Sequence, residues 1–178
     1  MKGTVHSLSV KHIIVVILLW LPFAASAQTL QIDSLKANYV EGFMEFVKIN
    51  KQVPPSNARI AVIQDQNLAQ YLEQIVSQNT QNEFQVERIT TEELSTFNCN
   101  EYDVIFVGAG QRKTWSQFFE KTENCSTLII GEEPNFLGAG GCIEFLVIKN
   151  RIRFRVDLEN LEKRNIQLSS KLLKLAIE

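Results

Sequence analysis

A chain of 178 residues, 45% of them hydrophobic, is long enough to bury one core and short for two. With 18 basic and 20 acidic residues its formal net charge is −2, which offers no general attraction to nucleic acid or anionic lipid. Two histidines and three cysteines leave little room for imidazole, thiolate or metal chemistry.

Lys2, His6 and Lys11 precede an apolar run from Ile13 to Leu21, followed by Pro22 and the small residues Ala25-Ser26-Ala27. A basic start, a short apolar core and small residues at the −3 and −1 positions predict a secretory signal peptide over residues 1–27, with Gln28 the first mature residue. The run is shorter than the roughly 20 residues of a spanning helix, and Pro22 interrupts it. Cleavage removes Lys2, Lys11 and both histidines, His6 and His12. The mature chain, residues 28–178, is then one exported acidic domain without imidazole. No catalytic residue, cofactor or metal site is assigned to it, and a non-enzymatic role is expected.

Ile32, Leu35, Tyr39, Phe43, Phe46 and Val47 recur at three- and four-residue steps, which predicts an amphipathic helix over residues 32–50 closed by Pro54-Pro55. A strand follows at Ala58–Ile63. Asp65–Asn79 reads as a helix capped by Asp65 or Asn67, with Leu68, Leu72, Ile75 and Val76 inward. Phe84–Ile89 alternates like a strand near a sheet edge, and Thr90 or Thr91 caps a short helix over Glu92–Phe97. Within Tyr102–Gly108 the run Val104-Ile105-Phe106-Val107 is apolar on both faces, so it needs cover on both, as a central parallel strand has. Lys113–Thr122 is a helix burying Trp115, Phe118 and Phe119, and Thr127–Ile130 is the next strand.

After Gly131 the alternation changes. Glu132–Gly141 is a loop, and Ile143–Ile148 with Ile152–Val156 forms a hairpin about Lys149-Asn150-Arg151. Helices near Leu158–Lys163 and Ser169–Ile177 end the chain, the second with Leu172, Leu173, Ala176 and Ile177 inward. The pattern predicts an α/β fold: a three-layer α/β/α sandwich with a Rossmann-like, mostly parallel sheet and a C-terminal β-hairpin.

Cys99 and Cys125 each precede a predicted parallel strand, and neighbouring strands would put their leading ends on one sheet edge. That favours a Cys99–Cys125 disulfide and leaves Cys142, at the start of an apolar strand, as a core residue. Gly108-Ala109-Gly110 follows a strand but lacks the third glycine of a dinucleotide-binding turn, Lys113 standing there instead. It reads as a tight turn, with Arg112, Lys113 and a helix start able to hold an anion. Glu132-Glu133 and Glu92-Glu93 read as solvated pairs. Lys149, Arg151, Arg153 and Arg155 form a cationic row opposite Ile152, Phe154 and Val156. Such a row protects an edge strand from aggregation or meets an acidic partner.

Several stretches together resemble the YfiR family. They are Phe136 with Gly140-Gly141-Cys142-Ile143, then Asn150-Arg151-Ile152-Arg153-Phe154-Arg155-Val156-Asp157-Leu158, then Ile166 through Ala176. Leu35-Lys36-Ala37 with Tyr39, Phe43 and Phe46-Val47 is similar to the family's first helix. The resemblance implies a small periplasmic α/β sandwich, often dimeric, that binds the periplasmic portion of an inner-membrane signalling protein. It implies a diguanylate cyclase that the protein represses, or a sensor kinase. Phe136, Arg151, Arg153 and Arg155, with the first helix, are the expected contact residues. Two departures are plain: three cysteines cannot supply the two pairs of redox-responsive members, and Lys48-Ile49-Asn50-Lys51 replaces the usual Trp-Pro after the first helix. The alternative is a periplasmic small-ligand sensor with its pocket at the carboxyl ends of the strands, near Gly108–Arg112 and Glu132–Phe136.

Overall fold

The computed structural model describes residues 21–50, 52, 54, 57–78, 84–110 and 112–177, with side chains from Gln31 onward except Thr114. Most of the leader expected over residues 1–27 lies outside these, as do Pro55 and Asn79. Helix α1 (Leu21–Phe46) leads directly into β1 (Val47–Ile49). There follow β2 (Arg59–Ile63), α2 (Gln66–Gln78), β3 (Gln85–Ile89), β4 (Val104–Val107), α3 (Trp115–Thr122) and β5 (Leu128–Gly131). The rest is β6 (Ile143–Ile148), β7 (Arg151–Val156), α4 (Leu158–Lys163), β8 (Ile166–Leu168) and α5 (Ser170–Leu173).

Every residue of β4 and β5 is buried, as unbroken apolar runs require. The main sheet has the order β3-β2-β4-β5-β6-β7. Its pairings are parallel from β3 through β6, and β7 closes it antiparallel to β6. The chain steps one way from β2 to β3 and the other way from β4 to β5. Right-handed crossovers therefore put α2 and α3 on opposite faces. α1 shares the face of α2, where Phe43 meets Phe145 and Phe154 at centroid distances of 5.8 and 5.2 Å. On the other face Trp115, Phe119 and Phe136 pack edge to face. The architecture is the three-layer α/β/α sandwich expected from the alternation of elements.

The local differences have physical causes. The first helix stops at Phe46, because Val47 and Ile49 pair antiparallel with Leu168 and Ile166 in a separate two-stranded sheet. The last helix is shorter than expected: Ser169 caps it through the Leu172 amide, and after Leu173 the chain leaves it and brings the Ile177 amide to the Phe154 carbonyl. Glu93 reaches back to the Thr90 amide and hydroxyl at 2.8 and 2.9 Å, so no threonine oxygen caps a helix there and Glu93–Ser95 is one 3₁₀ turn. Asp65 does cap α2, accepting from the Leu68 amide at 2.9 Å. The hairpin turn has two residues, Lys149 and Asn150, at φ 49° and 59°. Two left-handed residues match the twist of the flanking strands, so Arg151 already belongs to β7.

Candidate functional site

Ligands in open α/β sheets bind where the strand order reverses, here at the carboxyl ends of β2 and β4. Between the turns after β2 and β4 that crevice is closed from within, and open space of about 430 Å³ lies beside it at the ends of β2 and β3. A Cβ on Gly108 would stand 3.0 Å from the Gln64 carbonyl oxygen and 3.1 Å from Asp65 Cβ, so the two turns nearly touch. The Ala109 amide donates to Glu132 Oε1 at 3.2 Å, and the Gly110 amide donates to Glu133. The other Glu132 oxygen meets Lys36 Nζ, which also lies 3.1 Å from Asp33 Oδ1. Asn67 Nδ2 donates to Asp33 Oδ2 at 3.1 Å. Burial by itself would lower Lys36, but the charge and hydrogen bond of Glu132, joined by Asp33, outweigh it and hold the ammonium above its ordinary value. The small-ligand pocket expected near Gly108–Arg112 and Glu132–Phe136 is thus filled by the chain's own carboxylates. Glu132 and Glu133 are not the solvated pair their adjacency predicts. Arg112 lies over the Trp115 ring, 5.9 Å from its centroid.

Phe136 also requires a correction. Expected as a partner contact, it is 0% exposed and packs 5.3 Å from Trp115 and 5.5 Å from Phe119, centroid to centroid. A Cβ at Gly131 would fall 2.4 Å from its ring, and one at Gly141 2.2 Å. The ring occupies space that two absent side chains leave free. The phenylalanine and Gly140-Gly141 of the motif are therefore parts of one packing device.

The structure brings Cys99 and Cys125 together at the leading ends of β4 and β5, with a Cα–Cα distance of 6.0 Å. Their surroundings are satisfied: Thr127 Oγ1 lies 3.0 Å from the Cys99 carbonyl oxygen, and Arg164 Nη1 donates to that of Cys125 at 3.2 Å. Cys142 is fully buried, and burial pushes its thiol up to about 11, so little nucleophilic thiolate exists at neutral pH. A Cys99–Cys125 bridge with 26 residues of separation is expected to contribute about 3–4 kcal/mol in the chain-entropy model. Replacing both cysteines with serine should lower the urea midpoint accordingly. An unchanged midpoint would show that no bridge forms.

The three arginines do share one face of β7, but they differ. Arg155 pairs with the buried carboxylate of Glu144 at 3.1 Å, directly across the hairpin. Arg151 and Arg153 are exposed, and neither has an ion-pair partner among the described residues.

The first helix, expected as a contact surface, carries an exposed apolar face that its predicted inward stripe did not indicate. The core-facing arc is Asp33, Lys36, Ala37, Val40 and Phe43, rotated from the predicted stripe. Leu35 and Phe46 stay 38% and 37% exposed. Phe46, Tyr39 and Gly42 instead line an apolar groove of about 250 Å³, completed by Leu172 and by Leu175, itself 61% exposed. The legible signal was the apolar stripe itself, too wide for one buried arc and carrying a glycine at its middle.

Residues 33–177 match the family model described as YfiR/HmsC-like. No curated protein matches the chain. Among solved structures, a conserved domain protein from Vibrio cholerae O1 biovar El Tor strain N16961 superposes with a TM-score of 0.58 at 9% identity, over 81% of this chain and 58% of that one. The ABC domain in complex with L-Trp from Streptococcus pneumoniae gives 0.53 at 10% identity, over 67% of this chain and 54% of that one. The chain thus spans less than two thirds of either protein, and the likeness is one of fold. Sequence match and architecture agree, and the chain belongs to the YfiR/HmsC-like family.

Proposed function

We propose that this chain is a non-enzymatic regulator that docks on the periplasmic region of an inner-membrane signalling protein, a diguanylate cyclase that it represses or a sensor kinase. Family membership supports the periplasmic regulatory role. No described helix is long and apolar enough to cross a membrane. The observation that carries the docking step is the groove between α1 and α5. Phe46 and Leu175 leave apolar surface in water where a folded chain gains by covering it. Glu132 and Glu133 fill the expected small-ligand site after β4 and β5, which speaks against a ligand there. A polar pocket of about 430 Å³ stays open at the ends of β2 and β3.

A Cβ at Gly42 meets nothing within 4 Å, so a side chain there enters the groove without disturbing the core. Gly42→Ala is expected to raise stability by about 0.5–1 kcal/mol, since glycine is costly inside a helix. Gly42→Trp should keep the fold while cutting capture of the partner from solubilised inner membrane by about tenfold or more. Capture of the partner by Gly42→Trp at the wild-type level would remove the groove from the account.

A further inference from the structure

The hairpin carries a row of three arginines with one internal carboxylate. Across the β6–β7 ladder, Arg155 faces Glu144, Arg153 faces Leu146 and Arg151 faces Ile148. Only the first of these rungs is an ion pair. At the other two, an exposed cation stands beside an aliphatic side chain, with Ile148 itself 44% exposed. β7 is also the last strand of its sheet. The Phe154 carbonyl accepts from the Ile177 amide at 2.9 Å, so even-numbered residues of β7 turn their main-chain groups outward. By the same parity the N–H and C=O of Ile152 point to the open edge, and no described backbone group meets them.

We infer that this edge receives an extended acidic segment of a protein partner, whose carboxylates at alternate positions pair with Arg151 and Arg153. The inference deepens the docking role proposed above and rests on it. Carboxylates two residues apart in a strand are spaced by roughly 6.8 Å, the same repeat that separates Arg151 from Arg153 along β7. A residue directly opposite on an added strand brings its Cβ within roughly 4.5–5.5 Å of each arginine Cβ. Main-chain bonds to Ile152 supply affinity, and the two charge pairs set register. A second copy of β7 fits poorly, because self-pairing sets arginine against arginine. A lipid surface fits poorly too: Lys149 and Asn150 form the tip, ahead of Val147 and Ile148, so insertion would bury the polar turn first.

The test uses the mature chain and an eight-residue capped peptide alternating glutamate with threonine. Controls are its glutamine analogue, a peptide with the same glutamates clustered, and phosphatidylglycerol vesicles. The alternating peptide should bind about tenfold tighter than either control peptide and slow hydrogen exchange at the Ile152 amide. Arg151→Gln with Arg153→Gln should abolish that difference. Arg59→Gln with Arg88→Gln, which remove the same charge from the far side of the sheet, should preserve it. Equal binding of the glutamine or clustered peptide, undiminished binding by the first pair of variants, preference for vesicles, or self-association through this edge would each overturn the inference. If the wild type and the first variant pair capture the membrane partner equally while no peptide binds, this inference falls and the regulatory reading stands. If the wild type captures no membrane partner, the regulatory reading falls with it.

Discussion

Phe136→Ala is expected to lower stability by about 3–5 kcal/mol, the range for removing a fully buried aromatic ring. The ring is 0% exposed and touches two faces of its pocket as well as Trp115 and Phe119. Its pocket is walled by backbone at Gly131 and Gly141, which cannot collapse inward as flexible side chains do. The same geometry makes Gly141→Ala damaging. A Cβ there would stand 2.2 Å from the ring, so Phe136 must leave its position. Placed beside Gly42→Ala, this gives two identical chemical changes with opposite expected signs, one in open space and one inside a contact. Urea denaturation monitored by far-UV circular dichroism measures both. A loss under about 1 kcal/mol for Phe136→Ala would mean that the residue is not the anchor described here.

Lys36→Met should cost about 3–5 kcal/mol, because it leaves the charges of Asp33 and Glu132 without their cation in a largely dry site. Glu132 also accepts the Ala109 amide bond, so the loss spreads from α1 to the turn after β4. Adding Glu132→Gln to Lys36→Met should recover part of the loss, since one stranded charge is removed while the amide bond can persist. The pH dependence has a definite sign. The partners hold the Lys36 ammonium above its ordinary value of 10.5, so the folded state binds that proton more tightly than the unfolded chain does. Its contribution is full below the ordinary value and disappears as pH rises through the folded one. Wild-type stability should therefore decline on the alkaline side of pH 10, and Lys36→Met should lack that component. Superimposable alkaline profiles would place the ammonium in water.

The layers of this fold are written in local patterns. Val104–Val107 and Leu128–Ile130 have no polar alternation because helices cover both faces, and a single-sequence reading finds that easily. The hairpin likewise shows its period of two. What stays hidden depends on partners distant in sequence. Val47-Lys48-Ile49 continues the spacing of Phe43 and Phe46 and reads as helix until Ile166–Leu168 provides a strand to pair with. A three-residue strand has too little pattern to announce itself. The site follows the same division. The arginine row is local and legible, whereas the link from Asp33 and Lys36 to Glu132 spans nearly a hundred residues and only the fold joins it. Phe136 was recognisable as a motif residue, but its role depends on the backbone that surrounds it. An aromatic flanked at five residues on either side by glycine, Gly131 and Gly141, is the signal that would have found it.

Docking at the membrane face of the periplasm, with no substrate transformed, is the mode of action proposed for this chain. A photo-crosslinking amino acid placed at Phe46, on the rim of the α1–α5 groove, tests it in living cells. The predicted product is one adduct with an inner-membrane protein whose cytoplasmic portion carries a cyclase or kinase domain, lost when Gly42→Trp is added. An adduct restricted to soluble proteins, or no adduct together with substrate turnover by the purified chain, would contradict it.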